Sequence, residues 1–414
     1  MPNTYYAFID KVEPAGSNLY MEFHCMYESD ALRLISFAGL EFNGAVLQLP
    51  DEVIVLINTL QAISTIFSNN ENIAELESSW CILRTNEEGL EAESFRDDDP
   101  PGILVTVRVT SITMFEQDDT ILKLLKKKFS FEEYEDAPEQ DIKDLLNTGR
   151  TKNDAEFVAV YDVGHGNCNA FCNANGHPLL YYDLGGGCYK NKMTYPAVLK
   201  FCNTFSPAVI LSHWDTDHYQ SAMMDTTLKT RDWIIPRQQV SKTHLRFFLS
   251  LTGKRYIFPP GKPISFCWGT ILLCNGPLSK KNHCGLAIDV KLSPSVNNIN
   301  EVLLAADAAY QYIPLPATKL WNAMVATHHG AEFPTANSPV AGKSGKGAIA
   351  YSYGFGNSYH HPRLPAVRAH NQAGWLLVNT RRTRHGHIAL ADAAVVIVQS
   401  CIGKSCDLVI VQQY

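Results

Sequence analysis

The sequence of 414 residues lacks the features of several protein classes. No apolar run approaches roughly 18 residues, so we expect no transmembrane helix and no membrane partner. The N-terminus has no basic region followed by an apolar one, so we expect no signal peptide and a cytoplasmic location. The net charge of −7 argues against binding nucleic acid over the whole surface, although it leaves room for a local basic groove.

The cysteines also lack the pattern of a zinc ribbon. There are 11 of them, and none forms a CxxC pair. Cys168 and Cys172 are close in sequence, but no second pair follows at finger-like spacing. We therefore expect reduced, mostly buried thiols. The remaining composition, with 19% charged residues, is that of an ordinary globular protein.

The chain is long enough for two domains, which we place at residues 1–150 and 155–414. The polar segment Asn147–Asp154 is expected to be the hinge between them. It follows a charged stretch, Lys123–Asp144, which predicts a solvated helix or linker. No internal repeat and no long low-complexity tract interrupts either region.

The first domain has the pattern of an α+β unit. Strands are predicted at Tyr5–Ile9 and Leu19–Cys25, on either side of a turn, and Ile103–Ile112 is strongly β. Apolar residues at helical spacing predict a helix over Asp51–Phe67. The role of this domain is unknown from its sequence, and docking of a partner or substrate is one interpretation.

The most informative stretch is His213-Trp-Asp215-Thr-Asp217-His218, which directly follows an apolar, strand-like run. The end of a buried strand is where an α/β protein usually builds its site. Imidazole and carboxylate groups both bind divalent cations, and such a loop can serve two ions about 3.5–4 Å apart. The alternative is a polar loop in which an aspartate caps the following helix.

Two further carboxylates follow strand-like runs in glycine-rich turns. Asp162 opens the segment DVGHGN, and Asp183 opens DLGGG. Each motif alone indicates a turn with a carboxylate, since glycine allows the positive φ angles that such turns need.

Downstream of these motifs, an aspartate and two histidine pairs also come after apolar runs. Asp307 follows VLLAA, His328 and His329 follow AMVAT, and His360 and His361 come soon after AIAYSYG. An isolated histidine is more often structural. Their order after the HWDTDH loop instead predicts the remaining ligands of a two-metal centre.

This series of motifs resembles the metallo-β-lactamase fold, and within it the nuclease domain of bacterial competence (DNA-uptake) proteins. DVGHGN, YDLGGG, SHWDTDH, AAD, THHG and NSYHHP are similar to the family's DVGQGD, IDTGGG, SHxDxDH, TGD, SHHG and NxYxHP. The segment Thr383–Ile388 loosely resembles a closing GxI core. The resemblance runs from about residue 157 to 392. It implies an α/β protein: a metallo-β-lactamase-like αββα sandwich preceded by a smaller α+β domain.

The sequence departs from the family pattern at several positions. His165 stands where glutamine is usual, and Asn167 where a carboxylate is usual. Ala306 replaces a glycine, and Thr383 stands where an acidic residue is common. Classical hydrolases of the fold have a further metal-binding histidine before the bridging aspartate; His244 and His283 are the candidates here, and the sequence favours neither.

The resemblance implies a metal-ligand set of three histidines and three aspartates. One ion would be held by His213 and Asp215, the other by Asp217, His218 and His328, with Asp307 bridging the two. Three carboxylates with three imidazoles suit Zn²⁺ or Mn²⁺, and we expect two such ions.

The resemblance also implies roles around the metals. Asp183 would accept the second ring proton of a ligand histidine, and Asp162 would lie in the same outer layer. Asp217 would act as general base. His361, with His329 or His360, would lie near the leaving group.

The expected function is a metal-dependent phosphodiesterase or nuclease, which uses a metal-activated water on nucleic acid or another phosphodiester. One alternative is a hydrolase of a small ester, lactone or phosphorylated metabolite, since the fold hosts many activities. Another is an effector subunit of a bacterial antiviral defence system, controlled by a protein partner that binds the N-terminal domain.

Local support for a nucleic-acid substrate comes from basic and aromatic residues near the motifs. The basic candidates for phosphate contact are Lys280, Lys281, Arg363, Arg381, Arg382 and Arg384. Trp214, Tyr219 and Tyr359 are candidates for base stacking. A solvated surface explains the basic residues equally well, and core packing explains the aromatic ones.

Overall fold

The structure, a computed structural model, describes residues 2–411 except 16–17, 50–52, 59–62, 68–71, 97–104, 152–153, 198, 293–300, 316–318, 333–346, 380–386, 392–393 and 400–408. Within these residues the helices are α1 Glu28–Ser36, α2 Gly39–Gln48, α3 Ile63–Ile66, α4 Thr120–Lys128, α5 Glu139–Asn147, α6 Gln220–Met224, α7 Lys242–Ser250 and α8 Leu364–Gln372. In this part of the chain, no helix is long and apolar enough to cross a membrane.

The chain forms two compact units. The first contains Met1–Glu135, Arg237–Ser250 and Leu278–Lys281, and the second contains Asp136–Pro236, Leu251–Pro277 and Asn282–Tyr414. Helix α5, which the sequence analysis assigned to the first domain, therefore belongs to the second unit. The first residue of the expected hinge also contacts the second unit, since Asn147 Oδ1 accepts a hydrogen bond from Cys267 N at 2.8 Å.

The first unit is built on an antiparallel sheet of five strands: β1 Asn3–Ala15, β2 Asn18–Tyr27, β3 Val53–Asn58, β4 Ser79–Arg96 and β5 Val105–Met114. β1 pairs with both β2 and β4, and β3 pairs with the same two strands. The ladders of these four strands therefore close into a ring, which leaves fewer unpaired edges. Alternate residues such as Ala7, Ile9 and Phe23 fill its core.

The helix predicted over Asp51–Phe67 is wrong. Val53–Asn58 is strand β3, and only Ile63–Ile66 within the predicted span is α-helical in the described residues. The run VIVLI is continuously apolar and mostly β-branched, which favours a strand buried on both faces. Apolar residues at helical spacing occur by chance in any such run.

The charged stretch after β5 forms helices α4 and α5, as its pattern predicts. Asp119 caps α4, accepting hydrogen bonds from Ile121 N and Leu122 N. Leu122 and Leu125 bury one face of this helix. Three of its lysines, Lys126–Lys128, lie in the last turn, where the helix dipole favours positive charge.

A buried polar network joins distant segments of the first unit. His244 Nε2 lies 2.7 Å from Asp10 Oδ1, which also accepts a hydrogen bond from Lys281 Nζ. His24 Nε2 lies 2.9 Å from Glu22 Oε1. Burial raises the pKa of Asp10, but the nearby Lys281 and His244 outweigh this effect and hold it well below its ordinary value. Lys281, considered above for phosphate contact, is thus buried and paired.

The second unit contains two sheets. Its strands are β6 Phe157–Tyr161, β7 Cys168–Cys172, β8 Pro178–Leu184, β9 Ala208–Ile210, β10 Trp233–Ile235, β11 Arg255–Ile257, β12 Ile264–Phe266, β13 Gly269–Leu273, β14 Leu286–Lys291, β15 Glu301–Leu304, β16 Ala323–Val325, β17 Gly347–Tyr351, β18 Trp375–Asn379, β19 His387–Ala391, β20 Ala394–Gln399 and β21 Val409–Val411. The strand orders are β11-β10-β9-β8-β7-β6-β19-β20-β21 and β12-β13-β14-β15-β16-β17-β18.

The two sheets of this unit share one core. Val160 and Ile210 of one sheet cluster with Ile288 and Leu304 of the other, and the same cluster includes Ile142 of α5. Each such side chain contributes about 1.5–3 kcal/mol when fully buried. Val367 of α8 packs against a separate cluster on the seven-stranded sheet. The protein is therefore of the mixed α/β class, as the sequence predicts.

We predict that Asp10→Asn lowers the free energy of unfolding by about 3–5 kcal/mol, because it leaves the buried Lys281 ammonium without its counter-charge. Urea unfolding measures the effect. Since the pKa of Asp10 is lowered by folding, its contribution is present above the ordinary carboxyl pKa of 3.8 and is lost as the pH falls. The difference between wild type and variant should shrink on acidification.

The matched control is Arg108→Gln, which breaks the Arg108–Glu91 ion pair at 2.6 Å in the same unit. These side chains are 45% and 65% exposed, so we expect a loss below about 1 kcal/mol. Equal effects of the two substitutions would contradict the importance of the buried network.

Candidate metal centre

The candidate ligands lie beyond the ends of neighbouring strands. β8 and β9 run parallel in one sheet, and β15, β16 and β17 run parallel in the other. Parallel strands present their carboxyl ends at one edge of a sheet, where α/β proteins place their sites. His213 follows β9, Asp307 follows β15 and His328 follows β16, so chain topology alone brings them toward one region.

Glycine turns hold the backbone of Asp217. Its carbonyl oxygen accepts hydrogen bonds from Gly186 N at 3.0 Å and Asn167 N at 3.2 Å. A Cβ atom on Gly185 would lie 1.9 Å from this oxygen, and one on Gly166 would lie 2.6 Å from it. Only glycine allows such close approach of two backbones. The DVGHGN and DLGGG motifs thus position the HWDTDH loop.

Asp183 organises the start of that loop. Its Oδ1 accepts a hydrogen bond from Ser212 N at 2.7 Å, and its Oδ2 lies 2.8 Å from Ser212 Oγ, Asn167 Nδ2 and His218 Nδ1. The residue is fully buried and has a φ of 60°, a left-handed conformation that is costly outside glycine. The four polar contacts at its carboxylate compensate for that cost and for burial.

Two more imidazole rings are oriented through their Nδ1 atoms. His213 Nδ1 lies 3.0 Å from Ser212 Oγ, and His329 Nδ1 lies 2.8 Å from the carbonyl oxygen of Ser352. A histidine whose Nδ1–H donates to a neighbour has the lone pair on Nε2, which is the usual arrangement of a metal ligand.

The Nε2 atoms converge on Asp307. His218 Nε2 lies 3.1 Å and His329 Nε2 3.7 Å from Asp307 Oδ1. His328 Nε2 lies 3.4 Å and His213 Nε2 3.9 Å from Asp307 Oδ2. All of these atoms are buried. In the described part of the chain, both oxygens of Asp307 and the Nε2 atoms of His213, His218 and His329 make no hydrogen bond of good geometry.

The charges of His218 and Asp307 affect each other's pKa strongly. Burial lowers the pKa of His218, but the carboxylates of Asp307 and Asp183 outweigh it and raise the pKa well above its ordinary value. Burial likewise raises the pKa of Asp307, and His218 and His328 more than reverse this. The negative field that favours a proton on His218 favours a divalent cation for the same reason.

Two groups of metal-competent atoms result. One is His213, His218 and Asp307, and the other is His165, Asp217 and His329; within each, the ligand atoms lie within 4.8 Å of one another. The predicted ligands thus lie in one region, but their division between the two groups differs from the predicted division between the two ions. Asp217 Oδ2 lies 3.3 Å from His329 Nε2, whereas the prediction placed Asp217 with His218 and His328.

The other predicted residues are placed as follows. Asp215 Oδ2 lies 3.4 Å from His213 Nε2. The ring of His361 is 5.6 Å from that of His328 and stacks on His329 at 6.4 Å, whereas His360 is exposed.

Asp162 shapes the turn that leads to His165. Its Oδ1 accepts a hydrogen bond from Gly164 N at 3.3 Å. Of the two histidines that were open as an extra ligand, His244 lies in the network of the first unit, and the His283 ring stacks on Tyr312 at 4.8 Å.

Sequence reasoning gave no role at the metal centre to three residues that lie near it. His165 was noted only as a departure from the family, although it too follows a strand-like run. Ser212 and Asn167 support Asp183, and their position beside a motif aspartate was the available signal.

The first unit contains a third group of metal-competent atoms, which differs in its hydrogen bonding. Asp10, His24 and His244 form it. Their polar atoms contact one another, Lys281, Glu22 and Ser241, with His24 Nδ1 2.8 Å from Ser241 Oγ. A network satisfied in this way does not require a metal.

The aromatic residues proposed for base stacking are buried. Trp214 and Tyr219 are 0% exposed, and Trp214 Nε1 donates to the carbonyl oxygen of Pro236 at 3.1 Å, so both pack in the core. Tyr359 is also buried, with its ring 5.1 Å from that of His165. Arg381, Arg382, Arg384 and most of the closing segment Thr383–Ile388 lie outside the described residues.

In comparisons with known proteins, no family model matches this chain, and no curated protein matches it significantly.

We predict that Asp183→Asn weakens zinc binding about 10- to 100-fold. The neutral asparagine amide stabilises the Nδ1–H of His218 less than the aspartate carboxylate does. Competition with a chromophoric chelator measures the affinity. Asp289→Asn is the matched control, since Asp289 accepts hydrogen bonds from Lys319 and Trp321 in the same unit. Unchanged zinc affinity in Asp183→Asn would contradict its orienting role.

Proposed function

We propose that the chain is a metal-dependent hydrolase that uses two divalent ions and acts on phosphodiesters. We further infer that its second unit is a metallo-β-lactamase-like αββα sandwich. Support for the fold comes from two sheets with a shared core, from the helices α5 and α8, and from the collinear motifs.

One observation carries the metal proposal. Four histidine nitrogens surround the carboxylate of Asp307 at 3.1–3.9 Å, and hydrogen bonds do not satisfy the facing atoms of His213, His218, His329 and Asp307 in the described part of the chain. Burying polar atoms without partners costs several kcal/mol. Imidazole and carboxylate are suitable ligands for Zn²⁺ or Mn²⁺, so bound ions would satisfy these atoms. The donor set therefore fits the proposed cofactor.

The residues of the chain would supply binding, orientation and proton transfer. When bound, two divalent ions supply Lewis acidity that activates water and stabilises negative charge on oxygen. Asp183 holds His218 with its Nε2 atom toward Asp307. Asp217, 3.3 Å from His329 Nε2, would act as general base and accept the proton of the attacking water. The ring of His361 lies next to His329, where it would contact a leaving group.

A phosphodiester substrate is supported by the motif resemblance. The second candidate is a small ester, lactone or phosphorylated metabolite. One observation favours it: Trp214, Tyr219 and Lys281, which were candidates for contact with nucleic acid, are all buried. A substrate panel separates the two candidates.

We predict hydrolysis of bis-p-nitrophenyl phosphate in the presence of Zn²⁺ or Mn²⁺, and loss of more than about 100-fold in rate in Asp307→Asn, because this carboxylate is the centre of the ligand cluster. Chelation followed by readdition of metal should abolish and then restore the activity. The release of p-nitrophenolate is measured.

His360→Ala is the control, because His360 is next to His361 in sequence but exposed, and it should retain the wild-type rate. Activity that survives both Asp307→Asn and chelation would exclude the proposed mechanism. Activity only on carboxylic esters or lactones would identify the second candidate, and not a phosphodiester, as the substrate class.

A further inference from the structure

The loop DVGHGN carries a histidine that the motif resemblance does not explain. His165 lies in a group with Asp217 and His329, with one ligand atom of each within 4.8 Å of the others. All three side chains are buried, at 1%, 2% and 3% exposure. The group shares no residue with the set formed by His213, His218 and Asp307.

We propose that His165 is a metal ligand, and that it completes a second subsite with Asp217 and His329. The proposal deepens the proposed function and rests on it. Asp307 Oδ1 lies 3.7 Å from His329 Nε2, and Asp307 Oδ2 lies 3.9 Å from His213 Nε2. Asp307 Oδ1 also lies 3.1 Å from His218 Nε2. This carboxylate therefore contacts residues of both groups, as a ligand shared by a pair of neighbouring ions would.

The loop holds His165 firmly in this place. Gly164 has a φ of 76°, and a Cβ atom on it would lie 2.4 Å from the carbonyl oxygen of Thr194. The backbone N–H of His165 donates to Thr194 Oγ1 at 2.8 Å. Its ring lies 4.6 Å from the ring of His329 and 5.1 Å from that of Tyr359. Neighbours on both sides therefore pre-organise the imidazole.

The residue type changes the chemistry of the subsite. Glutamine, the usual residue here in the resembling family, offers a neutral amide oxygen, whereas imidazole is a stronger ligand for zinc. With His165, each subsite has two imidazoles and one carboxylate. This composition is richer in nitrogen than the set implied by resemblance, and it shifts the expected metal toward Zn²⁺.

Zinc stoichiometry tests the proposal without reference to activity. Zinc-loaded protein is dialysed, and bound zinc is counted by elemental analysis. We expect about two ions per chain in wild type and about one in His165→Gln. His329→Gln should also retain about one ion, and the double variant should lose no more than either single variant, because both residues serve one subsite.

His360→Gln is the matched control and should keep about two ions. His165→Ala, a smaller side chain, replaces His165→Gln if thermal unfolding shows that the latter does not fold. Two retained ions in a folded His165 variant would overturn the proposal. If stoichiometry falls as expected but no hydrolysis is detected for wild type, the ligand assignment stands and the proposed function fails.

Discussion

The buried carboxylate of Asp307 is the constraint on which the arrangement of the strand-end loops in the second unit depends. It is 1% exposed, and imidazole nitrogens from two loops, those after β9 and β16, face its two oxygens. Removing a carboxylate from water costs several kcal/mol unless positive charge compensates. Strand ends from both sheets must meet at this point to provide that charge. The packing of the sheets and the electrostatics of the candidate centre are therefore coupled.

Sequence position predicted which residues would meet, but not how they would pair. Asp183 lies at the end of β8, and His218 and Asp307 come after strands. Parallel strands bring their ends together whatever the loops do. The directions in which the rings of His328 and His329 point depend on left-handed backbone at both residues, with φ of 48° and 54°. Such conformations are rare outside glycine, so no residue pattern predicts them.

In the fold as well, some elements follow from the residue pattern and others depend on tertiary contacts. The strands β1 and β2 and the mixed α/β class follow from periodicity and turn residues. Val53–Asn58 became a strand because β2 and β4 flank it, which its local spacing does not reveal. Lys281 pairs with Asp10, far away in sequence, and only the folded chain places this basic residue in a core.

The most direct test of the central claim is anomalous diffraction at the zinc edge from crystals of the zinc-loaded protein. Two peaks are expected about 3.5–4 Å apart, on opposite sides of Asp307. The hydrogen-bonded group of Asp10, His24 and His244 should show none. No anomalous density at Asp307, or density only at the Asp10 group, would contradict the account.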